Sequence, residues 1–163
     1  MPPGLTSLVA ALPLMLGSHE LAHDKEAGRL GVPMGWENRS GNLPGWKINT
    51  KDANEIARIA GAGFRGQDAV AKALDGMDLG QAYRFLSALN KLGYIAFPAG
   101  LGSSKLGDVD TMNKAIGKSG LQAGLAGSAL GDIYKAYNPK SPLDINFWQS
   151  GSGTPGLAIE YKW

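Results

Sequence analysis

The chain opens on an uncharged block. Met1 to Ser18 carries no charge, and Leu5 to Gly17 (LTSLVAALPLMLG) is strongly apolar. That length is close to the ~20 apolar residues that cross a bilayer as a helix. No basic segment precedes it, and no small-residue cleavage site precedes Ser18-His19-Glu20, so it does not read as a signal peptide. A charged, helix-compatible stretch, Asp24 to Arg29, follows and is closed by Leu30-Gly31-Val32-Pro33. From Pro33 to Thr50, Gly, Asn, Pro and Trp predict an irregular excursion with short strands that holds Trp36 and Trp46. Thr50 or Asp52 can cap a helix through Glu55 to about Leu74, and Asp75-Gly76 interrupts it. A second such helix is expected from Leu79 to about Leu92.

Beyond it the pattern turns apolar again. Leu92 to Ser104 is an uncharged run in which Pro98 ends or kinks a helix. Lys105 to Lys118 is polar. Ser119 to Gly131 (SGLQAGLAGSALG) is uncharged and continues helically through Asp132, Tyr134 and Tyr137. Its glycines at 120, 124, 127 and 131 have the small-xxx-small spacing that brings two helices close. Ile145–Gln149 and Leu157–Trp163 read as the strands of a hairpin around Ser150–Gly156.

These elements predict a single mainly α domain: the first helix over 4–30, the Trp/Gly-rich excursion over 33–50, helices within 52–137 and the hairpin over 145–163. Glycine, at 24 of 163 residues, is about twice its usual ~7% share, and the charged fraction is below the usual ~25%. The glycine spacing favours a small membrane-embedded bundle of three or four helices over a soluble α+β domain. Trp36, Trp46, Trp148 and Trp163 all fall in extended segments, as an aromatic belt at the membrane–water boundary requires; covering a small soluble core is the competing reading.

Composition narrows the chemistry. With no cysteine and two histidines, thiol catalysis, Cys-ligated metals and three-His sites are excluded. A formal charge of +2 marks no nucleic-acid binder. Both histidines lie in His19-Glu20-Leu21-Ala22-His23, an HExxH pattern. On a helix, positions i and i+4 share a face, so two imidazoles can grip one zinc ion. Glu20, ~100° further round, can serve as general base toward a metal-bound water. A third ligand must then be a carboxylate, an amide or water. Asp132 is the leading candidate, being the only charge between Ser119 and Ile133; a carboxylate in such surroundings must be paired, protonated or bound to a cation. Asp75 and Asp68 are the alternatives. Tyr134 and Tyr137 could supply hydroxyls to that site or act as interfacial anchors.

The apolar helix ending in HExxH, followed by Glu26-Ala27-Gly28-Arg29-Leu30-Gly31-Val32-Pro33, resembles the intramembrane site-2-protease class of zinc metalloproteases, in particular small bacterial membrane proteins of that type. The resemblance covers roughly residues 5–33. It implies peptide-bond hydrolysis at membrane depth, a bilayer and a peptide or membrane-protein substrate as partners, and zinc held by His19, His23 and a distant Asp. The family's "LDG" segment is matched at Leu74-Asp75-Gly76 in those three letters only. A non-catalytic membrane binding or scaffold protein that retains the HExxH helix is the alternative. Gly61-Ala62-Gly63-Phe64-Arg65-Gly66 matches the G-x-G-x-x-G pattern of dinucleotide sites, but no clear strand precedes it and none follows. Helix packing is the expected role of those glycines, with no nucleotide as ligand.

Overall fold

The computed structural model describes residues 3–37, 45–96, 111–112, 114–115 and 121–163. Four long helices and two hairpin-like strand pairs are found among them: α1 (Leu5–Leu30), β1 (Met34–Glu37), β2 (Gly45–Ile48), α2 (Ala53–Ala73), α3 (Asp78–Ala96), α4 (Leu121–Tyr137), β3 (Leu143–Gln149) and β4 (Pro155–Tyr161). The expected run 97–104 with its Pro98 kink, most of the polar stretch 105–118, and residues 119–120 lie outside the described residues.

The helix ends follow from local chemistry. Gly31, at φ 69°, takes the left-handed conformation that closes α1, its N–H reaching the Gly28 carbonyl. Asp52 caps α2, its carboxylate accepting from the Asn54 and Glu55 N–H groups at 2.8 and 3.1 Å. α3 runs past the expected Leu92 to Ala96, because Tyr94 and Ile95 pack on the Ala60–Phe64–Leu125–Phe147 cluster. The Trp/Gly-rich excursion is an antiparallel pair in which Trp36 stands opposite Trp46. At the C-terminus, β3 and β4 pair from Leu143↔Tyr161 to Gln149↔Pro155.

α1 buries one narrow ridge, Ala11, Met15, His19, His23 and Ala27, at a strict spacing of four. α2 runs antiparallel along it: Ile59 meets the Ala27 end, and Gly63, Gly66 and Gln67 meet His19, Ala22 and Met15 in turn. The glycines of the G-x-G-x-x-G pattern therefore lie inside a helix, where each leaves room for a neighbouring side chain. The glycines of α4 act differently from expectation. Gly124, Gly127 and Gly131 face Phe147 and Gly156, Leu157, and Ile145 respectively. They seat the β3–β4 hairpin, not another helix.

Apolar side chains lie on the outside of the bundle as well as in its core. Leu5 (78% exposed), Val9, Leu16 and Leu21 on α1, Leu89 on α3 and Leu130 (64%) on α4 point outward. Arg84, Lys91 and Asp132, at 1%, 0% and 0%, point inward. Charges are almost never buried this fully unless they are paired. α1 is the one helix among the described residues long and apolar enough to cross a membrane.

Candidate metal centre and buried ion network

The helical spacing of four brings His19 and His23 together, as expected. Their rings stand edge to face with centroids 4.8 Å apart, and both side chains are buried. The His19 ring also meets Phe64 at 5.3 Å and stacks near Tyr94 at 6.2 Å. It can approach α2 only because residue 63 is glycine: a Cβ there would fall 2.4–2.7 Å from the imidazole atoms.

His23 Nδ1 lies 2.7 Å from the Ile59 carbonyl oxygen. A carbonyl can only accept, so Nδ1 carries the proton, and in the neutral ring Nε2 bears the lone pair. An imidazole oriented by a backbone carbonyl in this way is the usual arrangement of a metal-ligating histidine.

Glu20 is placed otherwise. It sits on the exposed flank of α1, next to the pair in sequence but outside the buried ridge.

Asp132, the expected third ligand from α4, is engaged by two cations. Both its oxygens face cations: Oδ1 accepts from Arg84 Nη1 at 3.0 Å, and Oδ2 from Lys91 Nζ at 2.6 Å. The two alternatives are engaged in the same network. Asp68 accepts from Lys91 and, through Oδ2, from Ser128 at 3.2 Å and from the Phe147 N–H at 2.5 Å. Asp75 accepts from Arg84 Nε and Nη2 at 3.0 and 2.9 Å. Among the described residues, no three His, Asp or Glu side chains gather as a metal site; Asp108 and Asp110 lie outside them. Two nitrogens with an oriented imidazole fit a first-row divalent ion, but on their own they make only part of a zinc coordination shell. Tyr134 and Tyr137 are exposed, and the Tyr134 hydroxyl meets Ser141 Oγ at 3.3 Å.

The ion network is the feature that sequence reasoning missed. Lys91 Nζ spends its donors on Asp68, Ser128 Oγ (2.7 Å) and Asp132. Arg84 joins Asp75 and Asp132, and its Nη2 lies 3.3 Å from Asp144 on β3. One network thus ties α2, the turn after it, α3, α4 and β3. Its signal was present as spacing: Arg84 and Lys91 are two turns apart on α3, and Ser128, Asp132 and Lys135 recur at four and three on α4, so each set shares a face.

No protein-family model, no curated protein sequence and no solved structure matches this chain.

Proposed function

We propose that this chain is a membrane-embedded zinc metallopeptidase of the HExxH kind, with His19 and His23 as ligands and Glu20 as general base. The observation that carries the reading is the His23 Nδ1–Ile59 carbonyl bond within a buried histidine pair. It supports metal binding because it fixes the ring orientation and directs Nε2 as the donor. Bound zinc supplies Lewis acidity and an acidified water. The chain's own part is to hold the two rings against Gly63, Phe64 and Tyr94; Glu20, one residue from His19, would have to turn in from the exposed flank of α1 to accept a proton. The outward leucines of α1, α3 and α4 support the membrane: lipid would solvate them, while ion pairs neutralise the inward charges.

A second reading has its own support. Glu20 points outward, and two histidines are the only ligands gathered among the described residues. Both facts favour a non-catalytic membrane scaffold with a structural metal or none. Metal analysis of purified protein, with hydrolysis of unfolded membrane peptides, separates the two. The peptidase reading expects stoichiometric zinc that is lost in His19→Ala and His23→Ala, and hydrolysis that is lost in Glu20→Gln while zinc stays. Zinc without Glu20-dependent hydrolysis favours the scaffold, and a metal-free wild type refutes the metal site. A folded, monodisperse protein without detergent or lipid refutes the membrane reading.

A further inference from the structure

We propose that Arg29, Arg58 and Arg65, gathered around Glu26 near the end of α1, form an oxyanion site that takes a phosphate group. Glu26 and Arg29 are three apart on α1, and Arg58 and Arg65 are seven apart on α2, so each pair shares a helix face. The two faces meet along the antiparallel helix pair. Glu26 Oε1 accepts from Arg58 Nε at 3.2 Å and Nη2 at 2.9 Å, and from Arg29 Nη2 at 3.0 Å. Its Oε2 accepts from Arg29 Nε at 3.0 Å. Arg65 Nη2 lies 3.7 Å from the same carboxylate and donates to the Arg58 carbonyl at 3.2 Å.

One carboxylate thus serves three guanidiniums, and two positive charges are left without a counter-ion. The Arg84–Lys91 network differs, since Asp68, Asp75, Asp132 and Asp144 balance its cations there. Water does not fully solvate the excess at Glu26, because the Arg58 and Arg65 side chains are only 22% and 27% exposed. Arg65 Nη1 is buried and has no acceptor, a costly state for a donor that has lost its water. The rest of that side chain borders solvent, so a turn of the guanidinium brings Nη1 to an arriving anion. Among the described residues, no hydrogen bond uses Nη1 of Arg29 or Arg58 either.

Phosphate is the class these groups fit. A guanidinium fork matches two phosphate oxygens at once, and a phosphodiester or a phosphate dianion balances one or both of the spare charges. Two sources carry that chemistry, an anionic phospholipid headgroup and a free phosphate. The position on α1 favours the headgroup. Glu26 lies ~13 Å of helix beyond Gly17, where the uncharged block ends, and cations flanking an apolar helix gather at the headgroup layer. That choice of source rests on the membrane reading above, whereas the charge excess and the unspent donors stand without it.

Melting of the full chain in neutral detergent, followed by tryptophan fluorescence, tests the site. The probes are sodium phosphate, sodium chloride at equal ionic strength, and micelles doped with phosphatidylglycerol or phosphatidylcholine. Phosphatidylglycerol, phosphate or both are expected to raise Tm where chloride and phosphatidylcholine do not. The apparent affinity should fall about tenfold in Arg65→Gln and hold in Lys140→Gln, an exposed cation on the turn after α4. A response to the lipid alone names the headgroup as the source, and a response to phosphate alone names the soluble anion; each supports the site. Glu26→Gln removes the competing carboxylate and should tighten the anion, a gain that misfolding does not produce. No shift with either probe, equal shifts in Arg65→Gln, or weaker binding in a folded Glu26→Gln overturns the proposal. A metal-free protein, or one folded without detergent, refutes the function proposed above and leaves the phosphate titration to decide this site.

Discussion

Lys91→Met tests whether the ion network, and not apolar packing alone, holds the bundle. The substitution keeps an unbranched side chain of similar length and removes the charge. Lys91 is fully buried, and its ammonium donates to Asp68, Ser128 and Asp132. Without it, Asp68 keeps only the Ser128 hydroxyl and the Phe147 N–H, and Asp132 keeps only Arg84. Removing one member of a buried ionic set costs about 3–5 kcal/mol, because the remaining charge is stranded. A domain's whole stability is about 5–15 kcal/mol, so the loss is a large share of it. Denaturant unfolding in one detergent, followed by tryptophan fluorescence, measures the difference. Asp68→Asn on top of Lys91→Met removes the stranded carboxylate, and the amide oxygen can still accept from Phe147. The pair should therefore be non-additive by about 0.5–3 kcal/mol. A single-variant loss under about 1 kcal/mol, or additivity in the cycle, would refute the network as the organising contact.

Two glycine substitutions separate the histidine site from the hairpin seat. Gly63→Ala drives a methyl into the His19 ring, which Phe64 and Tyr94 flank; it should cost about 1–3 kcal/mol and lower metal content, and unchanged metal with unchanged stability would contradict the geometry. Gly131→Ala places a methyl 2.6 Å from both the Ile145 Cβ and its carbonyl oxygen. Backbone cannot yield as a flexible side chain does, so hydrogen exchange at the Phe147 amide should accelerate; Gly28→Ala, with nothing within 4 Å of its Cβ, should instead stabilise by up to ~1 kcal/mol.

How far the sequence disclosed this architecture differs from element to element, for identifiable reasons. The start of α2 was legible because Asp52 acts within three residues, and the close of α1 because Gly31 alone supplies the left-handed turn. The end of α3 was not legible. Pro98 marks a stop only within the uncharged run that follows, and packing of Tyr94 and Ile95 against Phe64 and its cluster carries the helix to Ala96. The stripe of small residues on α4 announced a close approach without saying by what. A missing Cβ admits a strand backbone as readily as a helix, and here it admits Gly156 and Ile145.

The fate of Asp132 shows where reading single residues stops. Its isolation in an apolar run required it to be paired, protonated or bound to a cation, and the structure pairs it with Arg84 and Lys91. Nothing in its own segment distinguishes that outcome from ligation, because the partners lie on α3 and are charged residues of an ordinary-looking helix. The distinction lies in the spacing across helices. Two cations two turns apart on α3 face two acids seven residues apart, Asp68 and Asp75, from α2 and its following turn, and Asp132 closes the set. The histidine pair, by contrast, is fixed by one helix and one glycine, His19 and His23 against Gly63. The bundle thus holds two polar centres of different kinds, nitrogen donors among aromatic rings and ion pairs among helices. The ion pairs tie α2, α3, α4 and β3 to one another, whereas the histidine rings pack α1 on α2.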